Sequence, residues 1–594
     1  MLTKVSDYIF DYLVKNTGVD TVFMLPGGGC MHLVDSLGKT PGLRYVCNLH
    51  EQASVIAAES YAQDRNSLGV ALVTAGPGST NAITGVAGAW IDSTPLLVLS
   101  GQAKVEDMMT GKGIRQMGIQ EVDTEAIVRP ITKYAKCVKN ANDIPFELEK
   151  AVWLATNGRR GPVWLDLPLD VQGATIEPDA LPHFKPETEM EYDYAKAANE
   201  ILGFLKQAKR PCIYAGNGVR ASGALAHFIE LVEKLQIPVM TSWKAADFLP
   251  EEHPLFVGRP GIVAQRGANF VQQTCDCLLI IGTRLDLCQV GFNPEHFAPR
   301  AIRLMVDIDG HEIDKYGESF ATKEYPIDAG KLIQAMLNAN PSVLNCASFL
   351  KKAKEWQRKY PVILPEYLDE NKPLVNIYHF TKVLGDLLGK GDLLVPGSSG
   401  ACAEVTMQAI QVRNGLRIHN TPGLGSMGFG LPASIGGAIA SGKRTVCVIG
   451  DGGLQHNIQE LETLHRLQLD LKLFVFNNDG YGSIRNMQKG RFAGHFVACN
   501  PVSGLTLPDL NRIADAYQLP YVKIALPLEL QKQVNDVLAM KGPVICEVML
   551  DPEVGTAPRL ASEVLPDGRM RSKPMEELAP FLPEEELADI LRIE

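Results

Sequence analysis

Gly450-Asp451-Gly452 and, after twenty-four intervening residues, the pair Asn477-Asn478 are the residues of this 594-residue chain whose types and spacing point most directly to chemistry. Asp451 offers a carboxylate, Asn478 an amide oxygen, and the glycine turn at Gly480 a backbone carbonyl. A small set of hard oxygen donors suits an octahedral cation such as Mg2+, which takes few protein ligands and completes its shell with water and phosphate oxygens. The implied ligand is a diphosphate held through the metal.

The elements around these residues must bring them together. Residues 445–449 are β-branched and apolar throughout, the pattern of a parallel strand buried on both faces, and Asp451 falls where that strand ends. Residues 457–467 carry Ile458, Leu461, Leu464 and Leu467 on one helical face, and 471–476 read as a second buried strand. A crossover of this kind lays the two strands side by side in parallel. Asp451 and Asn478 then emerge together at the carboxyl edge of the sheet, where open α/β folds bind ligands. An ordinary strand-helix-strand unit with a chance asparagine pair is the alternative for this segment alone.

A chain of 594 residues is too long for one core, so several domains are expected. Its 57 basic and 68 acidic residues give a net charge of -11 without a long single-sign block, which is not a nucleic-acid footprint. The first twenty residues alternate acidic and apolar positions like an amphipathic helix, unlike a signal peptide. No run approaches the roughly 20 apolar residues of a membrane span. Twelve scattered cysteines indicate neither a zinc site nor a disulfide framework, so the expected location is cytoplasmic.

Three blocks of alternating strand and helix patterns predict an α/β fold with three doubly wound parallel-sheet domains, at about 1–172, 190–340 and 373–552. Strands are expected at 22–25, 43–49, 70–74 and 96–100 in the first block, and at 212–215, 239–240, 278–281 and 302–308 in the second. Residues 173–190, with Pro178, Pro182 and Pro186, read as a linker. Residues 553–594 read as a C-terminal arm or lid with a short helix at 584–592.

His50-Glu51-Gln52 closes one expected strand and opens a helix running to about Gln63, which places a carboxylate at the positive end of a helix dipole. Taken alone, this is a first-turn acid stabilising its helix. The wider stretch, with Val73-Thr74-Ala75-Gly76-Pro77-Gly78-Ser79-Thr80-Asn81, Asp92-Ser93-Thr94-Pro95 and Ser100-Gly101-Gln102, resembles the first domain of acetohydroxyacid (acetolactate) synthases. The Gly-Asp-Gly to Asn-Asn element resembles the signature of the thiamine-diphosphate enzymes to which those synthases belong. The likeness covers about residues 1–560, and the three blocks match the family order pyrimidine-binding, central and diphosphate-binding.

The resemblance implies roles. Asp451, Asn478 and the Gly480 carbonyl would hold Mg2+, and Gly452, Gly453 and Tyr481 would border the cofactor. Glu51 would bond the pyrimidine ring and favour the imino tautomer that removes the thiazolium C2 proton. Within Gly423-Leu424-Gly425-Ser426-Met427-Gly428, the Gly425 carbonyl would accept from the cofactor's amino group, and Met427 would wedge between its two rings. Ser398, Ser399 and Gly400 stand where the family contacts the diphosphate, although its usual Gly-Gln-His is missing. Gln120 is placed to contact a substrate carboxylate or oxyanion, with a surface loop as the other reading.

In the central block, Gly258-Arg259-Pro260-Gly261, Gly282-Thr283-Arg284-Leu285-Asp286 and Asp307-Ile308-Asp309 are similar in placement to segments that contact FAD. No full dinucleotide fingerprint is present, so FAD, ADP or no ligand at all stays open there. The family builds each active site between two chains, which implies a homo-oligomer, dimer or tetramer.

The implied reaction decarboxylates a 2-keto acid, with pyruvate expected, and transfers the acyl anion to a carbonyl acceptor. The chain has no His-His dipeptide of the kind simple decarboxylases of this superfamily use for protons, which favours carboligation. Ile119 stands in place of the family phenylalanine, and Met487 lies near the position of the tryptophan that selects the synthases' second keto acid. An acceptor other than the usual keto acid follows. A decarboxylase, 2-hydroxyacyl lyase or oxidase is the alternative. A non-catalytic regulatory homologue fits less well, because Glu51, Asp451 and Asn478 are all retained.

Overall fold

The computed structural model describes residues 2–109, 111–187, 191–398 and 400–592. Its framework is three six-stranded sheets. Every strand pair within them is parallel. With strands numbered in chain order inside each sheet, the first and third sheets both have the order 2-1-3-4-6-5, and the central sheet has 3-2-1-4-5-6. Parallel sheets need cover on both faces, and this is why strands such as Gly69–Val73 and Cys277–Ile281 are buried and apolar from end to end.

The strands that the sequence pattern hides are those that break this rule. Tyr134–Cys137 and Lys323–Pro326 lie at sheet edges and keep partly exposed residues. Pro162–Pro168 is interior, but prolines bound it and the buried Asp166 interrupts it. Ser100 Oγ and Gln102 Nε2 donate to the Asp166 carboxylate at 2.5 and 2.9 Å, which makes its burial affordable, and burial pushes its pKa up to about 7.

Two other expectations need correction. The helix expected at 457–467 is preceded by a short helix Asp451–Leu454 and a 3-10 turn Gln455–Asn457, with the main helix confined to Glu460–Leu467. Glycines and polar residues gave that first turn no apolar period to read. The expected linker at 173–190 contains the strand Thr175–Ile176, which pairs antiparallel with Thr3–Lys4, while 188–190 lie outside the described residues.

The first and third domains meet through helices Glu51–Arg65 and Gly430–Ser441. A Cβ at Gly436 would overlap the Ala57 carbonyl, so glycine lets the two backbones touch. Ile56, Leu393, Val395, Phe429 and Ala433 form one buried cluster across this crossing. The C-terminal arm is pinned to the central domain: Arg266 donates to the Leu578 and Pro580 carbonyls at 3.0 and 2.6 Å, and Asn269 to that of Met575 at 2.7 Å. The arm ends in a helix, Glu584–Leu591. Among the described residues no helix is long and apolar enough to cross a membrane.

Candidate active site

In the third sheet the strand order reverses between Asp392–Pro396 and Arg444–Gly450, and the crevice at their carboxyl ends is where a doubly wound sheet takes a ligand. Gly450 pairs with Phe476 on the neighbouring strand Leu471–Asn477, so the residues just beyond each strand end lie side by side. Asp451 is the first residue of its helix and is 4 % exposed. Its Oδ1 accepts from the Gly452 N–H at 2.7 Å, and its Oδ2 from the N–H groups of Asn478 and Gly480 at 3.3 and 3.1 Å. Three backbone donors thus aim one carboxylate. Burial outweighs them and lifts the Asp451 pKa to about 6.

Three of the glycines around this carboxylate, Gly452, Gly480 and Gly482, are required by space. A Cβ at Gly452 would enter the Tyr481 ring, and one at Gly482 would enter the Asn478 amide. Gly480 has φ +118°, and a side chain there would overlap the Cys499 carbonyl, which also accepts the Tyr481 N–H at 2.9 Å. Gly453 has ordinary room beside Ile449. Gly425, at φ +64°, faces the Ser398 carbonyl, so the diphosphate loop and the wedge segment adjoin. Asn457 Nδ2 donates to the Gly428 carbonyl at 2.9 Å and fastens the segment carrying the half-buried Met427 to the turn after Asp451. Gly400 opens helix Gly400–Ala409, and Ser399 lies outside the described residues. The residues present fit a diphosphate-bound Mg2+: an oriented carboxylate, an adjacent amide, a glycine carbonyl and a cradle kept clear of side chains.

Glu51 is likewise the first residue of its helix and is 6 % exposed. Asn81 Nδ2 donates to its Oε2 at 3.0 Å, and Gly78 leaves space in front of Oε1. Glu460 of the third domain holds the preceding turn, accepting from the Leu49 N–H at 2.8 Å and Asn48 Nδ2 at 2.9 Å. A charge-assisted bond of this kind contributes about 1.5–3 kcal/mol. The exposed Gln120, at φ +58°, packs its backbone on Gly76, so it and Glu51 flank the same turn. The buried Glu121 sets that loop by accepting three backbone N–H groups, from Met109, Met117 and Gly118. Asn81 stands in a segment that the sequence singled out, but its bond to Glu51 needs the helix Pro77–Ile91 laid beside Glu51–Arg65. Nothing in sequence spacing marks Glu460.

A cavity of about 880 Å³ opens at the order reversal of the central sheet, beside Asn217, Gly218, Gly282, Thr283 and Arg284, and it extends to Ser398 and Gly425. Glu51 and Asp451 are not on its wall. All three domains meet there: Lys244 lies 3.3 Å from Asp92 Oδ2 and donates to the Asn420 carbonyl at 2.8 Å. Arg159 of the first domain pairs with Asp309 and Glu312 at 2.6 and 2.7 Å, and burial lifts the nearby Asp307 pKa to about 6.

Two sheets of identical strand order, one ending in an oriented carboxylate-amide pair and the other in a helix-start glutamate, define a thiamine-diphosphate-dependent enzyme. Models of the thiamine pyrophosphate enzyme N-terminal TPP binding domain, central domain and C-terminal TPP binding domain match residues 3–127, 198–334 and 398–548. The acetolactate synthase large subunit of Lactococcus lactis is 32 % identical over 90 % of this chain and 91 % of its own length. The isozyme 3 large subunit of Escherichia coli is 33 % identical over 88 % and 90 %, and the probable large subunit of Methanocaldococcus jannaschii 30 % identical over 90 % of each. The chain belongs to the thiamine pyrophosphate enzyme family and is acetolactate synthase-like.

Proposed function

We propose that this enzyme is a carboligase that decarboxylates a 2-keto acid, pyruvate foremost, and joins the acyl unit to a second carbonyl compound. The observation that carries the reading is the convergence of Asp451, Asn478 and the Gly480 turn at the reversal of the third sheet. Asp451, Asn478 and the Gly480 carbonyl would hold Mg2+, and Ser398, Gly400, Gly452, Gly453 and Tyr481 would line the diphosphate end of the cofactor. Thiamine diphosphate, when bound, would supply the nucleophilic carbon and the electron sink that decarboxylation of a 2-keto acid needs. Glu51 holds the proton at the pyrimidine nitrogen, with Asn81 orienting its carboxylate. The Gly425 carbonyl would accept from the cofactor's amino group, Met427 would pack against its rings, and Gln120 would bind the substrate carboxylate or oxyanion.

Each site is assembled from two chains. Among the described residues no group of the third domain bonds the Glu51 carboxylate, whose partner is Asn81 of its own domain. Apolar side chains are left exposed beside both halves: Ile114, Met117 and Ile119 near Gln120, and Ile484, Met487 and Phe492 near Asn478. A second copy of the chain covers them and brings Glu51 to the partner's metal site.

An apolar wall of Ile119 and Met487, in a chain with no histidine pair, favours capture of the acyl unit by a second carbonyl over its protonation. The position of the cavity at the reversal of the central sheet supports a nucleotide such as FAD or ADP there, with no ligand as the alternative. Feeding pyruvate with a panel of keto acids, aldehydes and sugar ketones and weighing the products by mass spectrometry tests the reading. A hydroxyketone or acetohydroxy acid is expected as the main product. Acetaldehyde as the main product across the panel replaces the carboligase with a decarboxylase.

A further inference from the structure

Helix Gly482–Arg491 begins just after the Gly480 turn, and Arg485 is the charged side chain it buries, 7 % exposed. Among the described residues Arg485 makes no ion pair with a carboxylate. Its Nη1 donates to the Asn478 carbonyl at 2.9 Å, its Nη2 to the Pro552 carbonyl at 3.3 Å, and its Nε is buried without a partner. Taking a guanidinium out of water costs several kcal/mol, and two carbonyls do not return that in full. Packing alone would be served better by an apolar side chain.

The burial achieves something geometric. The Asn478 N–H donates to Asp451 Oδ2, and the Asn478 carbonyl accepts from Arg485, so both backbone polar groups of that residue are fixed. The next residue, Asp479, is held at φ +64°, a left-handed conformation unfavourable for a residue with a side chain. The Asp479 N–H bonds back to Asn477 Oδ1 at 3.1 Å, and Asn477 Nδ2 is tied to Glu547 at 2.7 Å. Arg485 therefore closes the remaining degree of freedom in the turn that presents Asn478 and the Gly480 carbonyl.

We propose that Arg485 is a positioning residue for the metal site: by locking the Asn478 carbonyl it preorganises the Asn478 side chain and the Gly480 carbonyl toward the cation. The inference rests on the reading of Asp451, Asn478 and Gly480 as metal ligands. Full-length Arg485→Met, Arg485→Lys and Lys489→Gln proteins are compared with wild type by Mn2+ titration in the presence of thiamine diphosphate. Electron paramagnetic resonance counts free Mn2+, and circular dichroism and melting temperature report the fold.

Arg485→Met is expected to weaken Mn2+ by about 10- to 100-fold, the range for loss of a partner that orients a metal ligand. Arg485→Lys, with one donor and the charge retained, should fall between it and wild type. Lys489 lies one turn further on in an exposed pair with Glu553, and its change should leave the affinity within about twofold. A folded Arg485→Met chain that binds Mn2+ within about twofold of wild type overturns the proposal, whatever its melting temperature, because Arg485 would then only fasten the chain at Pro552. If Arg485→Met does not fold, Arg485→Lys at wild-type affinity overturns it equally. A wild-type chain that binds no Mn2+ with the cofactor, or Asp451→Ala with undiminished affinity, instead removes the metal site itself.

Discussion

The first and third domains share a strand order and a right to the same kind of crevice, yet they put different chemistry at its edge. Both key carboxylates are first helical residues after a parallel strand, Glu51 in one and Asp451 in the other. Asp451 is surrounded by three backbone N–H groups and immobilised on a glycine cradle. Glu51 has one side-chain partner and open space toward Gly78. The first arrangement suits a cation ligand, which must be fixed and ionised. The second suits a group that exchanges a hydrogen bond with a ring nitrogen. One topology thus supplies the place, and the residues at the strand ends assign the task.

Exchanging the properties of the two carboxylates is the strongest way to break this contrast. Asp451→Ala should weaken cofactor and metal binding by at least about 100-fold, more than loss of an outer partner costs, with the fold retained. Calorimetric titration with thiamine diphosphate and Mg2+ checks this. Near-native affinity in folded protein would mean that the third domain holds no metal at Asp451. Glu51→Gln should leave that affinity in place and lower turnover by about 100-fold or more, the scale of acid-base contributions. Steady-state rates within about threefold of wild type would remove the role given to Glu51.

The pKa of Asp451 sharpens the comparison further. Burial raises it from 3.8 to about 6, so the metal-free fold holds the protonated acid only below about pH 6. The stability this group contributes is present below the unfolded value and is lost as pH rises through about 6. Metal binding needs the anion, so affinity should fall by up to about tenfold per pH unit below the raised pKa, with proton uptake by the released carboxylate. Calorimetry in two buffers of different ionisation heat reads that proton. A flat profile from pH 5 to 7 would show that other donors dominate.

The smallest effect tests whether the two domains act in one site. Inactive Glu51→Gln and Asp451→Ala chains, mixed and allowed to exchange, should regain about a quarter of wild-type activity. Random pairing makes half the dimers mixed, and each of those has one site built from two intact halves. Exchange proved by mass without any return of activity would place both carboxylates in a single chain.

Much of this was legible without coordinates because the relevant signals are local. Asp451 and Asn478 sit at the ends of two mostly apolar buried strands, and such runs fix both the strand and the edge at which it ends. Glu51 opens a helix after the three residues that follow a strand ending at Cys47, so its position on the dipole is a matter of neighbours in sequence. The glycines at 425, 452 and 480 announce close approach, although what approaches them is not written beside them.

Tertiary structure alone decided the rest, because those contacts join residues that no period or spacing relates. Asp166 hides an interior strand, since its carboxylate is tolerable only once Ser100 and Gln102 arrive from the neighbouring strand. Glu460 restrains the turn before Glu51 from another domain, and Asn81 bonds Glu51 only after two helices pack. The cavity exists because three domains stop short of one another around Lys244. Arg485 looks like one more basic residue on a polar helix until the fold buries it under Asn478. The sequence by itself determined which atoms face the ligand edge, through alternation of apolar runs and turns. The folded chain determined how firmly those atoms are held, because orientation depends on partners that only packing brings within hydrogen-bond reach.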